Sequence, residues 1–154
     1  NRGVMLEQAE AALDEYRQNI MKYLSWLNEN PDRIEELGSI YVLHGENLID
    51  EKMISAISTL VSNSLRKKTK PVIAYSIVPD ERIVKISARA TDLLTQRGLN
   101  IGEIIRIAAE KSSGKGGGHD IAAGAQVPYD RKKDFIRLVD ELVRENLERM
   151  NLGG

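Results

Sequence analysis

The sequence predicts an α/β domain: a small mixed β-sheet flanked by helices, with a long N-terminal lead-in helix. Three observations carry that expectation. Helical apolar patterns alternate with short β-branched runs, the order of a layered α/β domain. The 154 residues are 42% hydrophobic and 29% charged, enough to bury one core and keep a soluble exterior. Glycine is concentrated, five of twelve falling between Gly114 and Gly124, which marks a glycine-rich loop between a helix and an extended segment.

The first helix is expected from Val4 to Asn30, where no Gly or Pro intervenes. Leu6, Leu13, Ile20 and Leu27 repeat every seven residues, an a/d stripe over about three heptads. Such a stripe packs on its own domain or serves a helix leading in from an upstream domain. Pro31 ends it. Ile40 to Leu43 reads as a short strand, and Asp50 as N-cap of a helix from Glu51 to about Lys67. Arg66, Lys67, Lys68 and Lys70 then suit the negative end of the helix dipole. Those cations could equally meet a phosphate.

Pro71 to Val78 and Arg82 to Ala88 form an expected antiparallel hairpin around Pro79-Asp80-Glu81. Ile83, Lys85 and Ser87 would lie on one side of the second strand, Val84, Ile86 and Ala88 on the other. Thr91 to Arg97 is a short helix stopped by Gly98. Asn100 with Glu103 resembles a capping box for a helix over Ile101 to Lys111. Ser112 to Gly118 reads as a glycine-rich loop and Ala122 to Val127 as an extended segment. A last helix runs from Arg131 to about Met150, with Phe135, Val139 and Val143 inward. The division expected is 1–37 as a helical lead-in or connector, 38–150 as the main domain and 151–154 as a tail.

Composition removes several function classes. There is no cysteine, so disulfides, thiolate metal sites and a cysteine nucleophile are excluded. Two histidines, His44 and His119, cannot supply a histidine-rich metal centre. A net charge of -1 argues against a basic nucleic-acid coat but leaves room for a local phosphate site. No apolar run approaches the roughly 20 residues of a bilayer span, so no membrane partner is expected. The opening Asn-Arg-Gly-Val is neither an initiator methionine nor a signal peptide, and the chain reads as a piece of something longer.

The chemistry concentrates in Gly114-Lys115-Gly116-Gly117-Gly118-His119-Asp120, followed by Ile121-Ala122-Ala123-Gly124-Ala125. Three side-chain-free residues let an anion approach backbone amides. A following histidine can hydrogen-bond a phosphate oxygen, or donate a proton when charged. The order of Lys115 and the glycines excludes a Walker A loop. A plain surface loop would also fit. The second feature is Ser87-Ala88-Arg89 at a strand end, where ligand crevices open and a guanidinium fork suits phosphate. An ordinary surface arginine would look the same.

Lys85-Ile86-Ser87-Ala88-Arg89, the run Arg97 to Gly102, and above all Gly116-Gly117-Gly118-His119-Asp120-Ile121-Ala122-Ala123-Gly124-Ala125 resemble the C-terminal, DHH-associated domain of the DHH phosphoesterase superfamily. The likeness runs from about Ile40 to the end and is nearest to archaeal RecJ-like single-strand-specific exonucleases. It implies a substrate-binding half of a metal-dependent phosphodiesterase. Gly116, Gly117 and Gly118 would cradle phosphate, His119 would hydrogen-bond it, Arg89 would clamp it, and Ser87 and Lys115 would assist. Mn2+ or Mg2+ would sit on an upstream DHH domain of the same protein, so this chain alone would hold no cofactor and no catalytic residue. Single-stranded DNA or RNA is the implied partner, with replication-fork proteins as further partners and the cytoplasm as location. Two alternatives stand beside it: an interaction module for a replication partner, and the same domain from a phosphatase of nucleotides or short oligonucleotides. Alanyl-tRNA synthetases carry a related C-terminal domain, but no synthetase signature is visible.

Overall fold

The computed structural model describes residues 2–65 and 68–153. The chain divides into two compact units, Asn1–Pro31 and Asp32–Gly154. The first is a single helix, α1 (Arg2–Glu29). Its heptad stripe is exposed at Leu6 and Leu13.

The second unit holds the mixed α/β sheet that the sequence predicts. Its strands are β1 (Ile34–Glu36), β2 (Tyr41–His44), β3 (Val72–Val78), β4 (Ile83–Arg89), β5 (Lys115–Gly118) and β6 (Ala122–Pro128), in spatial order β1-β2-β3-β4-β6-β5. Among the described residues only β2 and β3 run parallel, and the other neighbouring pairs are antiparallel. The parallel pair needs a crossover, supplied by α2 (Ile54–Ser64). The remaining helices are α3 (Asp92–Gln96), α4 (Ile101–Lys111) and α5 (Lys132–Gly153).

The alternation expected in β4 assigns the two faces of the sheet. Val84, Ile86 and Ala88 join one apolar cluster with Ile101 and Ile105 of α4 and with Phe135, Val139 and Val143 of α5. Ser87 points the other way, its hydroxyl 3.0 Å from that of Ser58 on α2. Three layers result, with α4 and α5 on one face and α2 on the other. At about 1.5–3 kcal/mol per large apolar side chain, the α4/α5 face supplies most of the burial energy. The α2 layer leaves β6 bare: Gly124 and Gln126 are exposed while Ala125 and Val127 are buried on the opposite face.

Local chemistry fixes the helix ends. Thr91 accepts from the Leu94 amide at 3.3 Å and Asn100 from the Glu103 amide at 3.1 Å. The Glu103 carboxylate pairs with Arg106. Gly98 takes φ +102°, the left-handed stop expected of it. Four expectations are corrected. Asp50 does not open α2, which starts at Ile54; its carboxylate accepts from the Lys52 amide at 2.8 Å and closes a turn before the helix. Of the cationic run after α2, Arg66 and Lys67 lie outside the described residues. Lys68 donates to the Ser62 and Asn63 carbonyls at 2.7 Å each, which favours the helix-terminus reading. β1 was not expected. Helix α5 continues to Gly153, past the expected end near Met150; Gly154 lies outside the described residues. The fourth concerns the glycine segment and belongs with the site.

A polar network ties β1, β2, β3 and α5 together. The Tyr75 hydroxyl donates to Glu46 and lies 2.7 Å from His44 Nδ1. His44 Nε2 lies 3.1 Å from Glu35, and Lys132 Nζ lies 3.3 Å from the Tyr75 oxygen and 3.5 Å from Glu46. Burial raises the Glu46 carboxyl, but the Tyr75 hydrogen bond and the Lys132 charge outweigh it and hold the group below its usual range. Burial and the Glu46 carboxylate push the Tyr75 hydroxyl upward.

Candidate functional site

The glycine run is not a loop. Lys115–Gly118 is an edge strand, paired in register with Gln126, Ala125, Gly124 and Ala123 of β6. Glycine has little strand propensity, so this strand is made by its surroundings: pairing with β6 and packing under α4. A Cβ at Gly118 would fall 2.4 Å from the Ala122 carbonyl, and one at Gly116 2.6 Å from the Ala125 methyl. Those two residues are glycine because β6 is close. Gly117 differs: it adopts φ +151°, and the nearest atom to an added Cβ is 4.0 Å away.

The turn from β5 to β6 carries His119 and Asp120. Their carbonyls accept from the first-turn amides of α4, Gly102 at 2.9 Å and Ile101 at 3.1 Å. Those two amides are thereby occupied. The His119 amide donates to the Ala122 carbonyl at 2.8 Å. Its imidazole is exposed and has no protein partner among the described residues.

The bare face of the sheet beside α2 forms a pocket of about 390 Å³. Its floor is Ser87, Ala122, Gly124, Gly117 and Gly118; Ser55, Ser58 and Thr59 of α2 form a wall, with Lys52 and Glu51 above and Arg89 at one end. Arg89 also borders a second hollow of about 290 Å³, reaching toward Asn63 and Thr91. Its guanidinium has no ion pair or hydrogen bond among the described residues. A half-buried cation over a floor of backbone and small side chains can receive an anion.

Ser87 is more constrained than the sequence suggests. Ser58 donates to the Ser55 carbonyl at 2.8 Å, so its single proton is used. The 3.0 Å contact is then a donation from Ser87 to Ser58. While that bond stands, Ser87 presents only acceptor lone pairs to the pocket.

Of the residues expected to meet phosphate, the pocket brings together Ser87, Arg89, Gly117 and Gly118. Gly116 is packed under its neighbours. Lys115 lines an adjoining hollow of about 300 Å³ with Lys85 and Gln126. His119 follows Gly118 on the rim and does not line the pocket. Sequence reasoning missed Lys85, Lys52 and Gly124 as site residues. The signal for Lys85 was present, since it shares a face with Ser87 by alternation; Gly124 needed the strand register. A hollow of about 820 Å³ at the far end of the β3–β4 hairpin, around Pro79, Arg82 and Tyr129, contains none of these residues. Among the described residues, no group of three or more His, Asp or Glu side chains could hold a metal ion.

An uncharacterized protein of Methanocaldococcus jannaschii is 35% identical over 153 residues, 96% of this chain and 32% of that protein. The chain therefore spans about a third of that relative. Alanine–tRNA ligase of Bacillus velezensis is 30% identical over 110 residues, 70% of this chain and 12% of the ligase. Among solved structures, the C-Ala domain of Aquifex aeolicus alanyl-tRNA synthetase superposes with a TM-score of 0.58 at 17% identity, covering 71% of this chain and 96% of that one. A pGpG-specific phosphodiesterase of Vibrio cholerae gives 0.55 at 15% identity, covering 86% and 42%. At such identities the two structures speak for the fold alone. Residues 41–145, the whole span from β2 through the pocket into α5, match the DHHA1 domain, and the chain belongs to that family.

Proposed function

We propose that this chain is the phosphate-gripping part of a RecJ-like phosphodiesterase acting on single-stranded DNA or RNA. The observation that carries the reading is the unpartnered Arg89 guanidinium beside the side-chain-free floor of Gly117, Gly118 and Gly124. In this reading Arg89 clamps a phosphate, and the floor lets its oxygens approach the backbone. His119 on the rim donates to the same or the neighbouring phosphate. Ser87 orients the site through Ser58 and contacts phosphate only when its proton turns away from that partner. Manganese or magnesium, held by a DHH domain of the same protein, would supply the activated water. The described residues of this chain do not fit a metal centre. Its own part is to bind, orient and shield the phosphate. The fold is shared with a pGpG-specific phosphodiesterase.

A second reading, tRNA binding without cleavage, is favoured by the likeness to alanine–tRNA ligases. Docking of a replication-fork protein is a third, favoured by the exposed apolar residues of α1. The discriminating experiment titrates the isotope-labelled chain with hexathymidylate, with thymidine monophosphate and with tRNA. Shifts centred on Arg89, Gly117 and Gly124 with both thymidylates support the proposal. Response to tRNA alone, or none to any ligand at millimolar concentration, overturns it.

A further inference from the structure

The strand registers arrange three strands into rows on the face that α2 leaves open. Ser87, Gly124 and Gly117 are direct cross-strand partners, and so are Lys85, Gln126 and Lys115. Directly opposed residues of an antiparallel pair share a face. The first row has almost no side chain. The second carries two ammonium groups flanking an amide. Arg89 occupies the same face of β4, two residues beyond Ser87. The bare row is therefore a trough, with Arg89 on one bank and Lys85, Gln126 and Lys115 on the other. Four residues of strand separate the banks by roughly 13 Å at the backbone. The pocket beside α2 and the hollow at Lys115 share Lys85, Ile86 and Gly124, so they adjoin across Lys85.

The charges of the second bank are left open. Lys85 and Lys115 have no ion pair or side-chain hydrogen bond among the described residues. Lys70, Lys132, Arg106 and Arg144 each meet a carboxylate. Two like charges two strands apart, roughly 10 Å at the backbone, repel weakly, and neither adds to the core. The arrangement becomes favourable when an anion lies between them. Glu51, on the α2 side, is the one carboxylate lining either hollow among the described residues.

We infer that the Lys85–Gln126–Lys115 row holds a second phosphate of the strand whose first phosphate lies at Arg89, so that the site takes a polynucleotide in preference to a mononucleotide. This deepens the proposed function and rests on it. The two lysines neutralise the phosphate, and the Gln126 amide between them hydrogen-bonds it or the adjoining base edge.

The test measures binding of labelled hexathymidylate to the chain over a series of salt concentrations, and its displacement by thymidine monophosphate. Three proteins are compared: wild type, Arg89→Ala, and the double variant Lys85→Gln, Lys115→Gln, which keeps polar stems on the sheet. Thermal unfolding confirms that all three are folded. Each neutralised phosphate adds about 0.7 to the logarithmic salt slope for a single strand, so the double variant, which gives up one phosphate, should lower it by about 0.7. Its affinity for hexathymidylate should fall about tenfold or more, well beyond its loss for the monophosphate. Arg89→Ala should weaken both ligands. If the double variant keeps the wild-type slope and affinity while Arg89→Ala still weakens both, the second-phosphate row is refuted and the proposed function stands. If wild type binds neither ligand, the proposed function fails and the row falls with it.

Discussion

Two polar regions of the second unit treat their charges in opposite ways. Around Tyr75, the polar groups meet partners from other elements: Glu46, Lys132, His44 and Glu35 close on one another around a buried hydroxyl. On the open face, Arg89, Lys85 and Lys115 meet nothing among the described residues. The first arrangement offsets desolvation with internal contacts and binds β1, β2, β3 and α5 together. The second forgoes that gain and stays available to a ligand. The two kinds of polarity are thus told apart by whether the partner lies within the chain.

The comparison breaks most visibly at Arg89. Because Arg89 has no internal partner, Arg89→Ala should leave unfolding free energy within about 0.5 kcal/mol of wild type. Loss of a charge-assisted contact should weaken strand binding by about 1.5–3 kcal/mol, roughly tenfold to a hundredfold. A large loss of stability in urea titration would show that Arg89 belongs with the structural group. The glycines sharpen the same division. Gly118→Ala drives a methyl into the Ala122 carbonyl and should cost about 1–3 kcal/mol of stability. Gly124→Ala places its methyl 3.5 Å from the Ile86 carbonyl, an ordinary contact. It should fold normally and bind the strand less well, since the methyl rises into the trough. Equal stability of the two variants would contradict the close approach of β5 to β6. At the other region, Tyr75→Phe removes the hydroxyl shared by Glu46, His44 and Lys132. It should cost about 1–2 kcal/mol in urea unfolding and leave hexathymidylate affinity unchanged.

The legible parts of the molecule were those governed by local rules. Alternation in β4 correctly separated Lys85 and Ser87 from Val84, Ile86 and Ala88, because a strand has period two whatever covers it. Gly98 and Asn100 marked helix ends, because a left-handed stop and an amide acceptor are needed there regardless of the fold. What failed was non-local. β1 has three residues, two of them glutamates, and becomes a strand only by pairing with β2. Lys115–Gly118 reads as a loop because glycine shows no pattern, and β6 with α4 decide otherwise. Arg89 and Ser87 could be singled out from a motif. The trough could not, since it exists only in the register that sets Gly124 between Ser87 and Gly117.

The smallest expected effect tests why the Tyr75 network holds. Tyr75 and Lys132 depress the Glu46 carboxyl in the folded protein. A group with a depressed folded value contributes stability that is fully present above its unfolded value, about 4.3 for glutamate. That stability is lost as pH falls through the folded value and the carboxyl takes a proton. Lys132→Met removes one cause of the depression, so the variant has less to lose in acid. Its deficit relative to wild type, on the order of 1 kcal/mol for this half-buried pair, should shrink as pH falls from about 6 toward 3. Arg89→Ala should track wild type over the same range, because no carboxylate among the described residues is bonded to Arg89. A Lys132→Met deficit that stays constant with pH would mean that the lysine acts through its packing on the Tyr75 ring, 4.7 Å from the centroid, and not through the carboxylate.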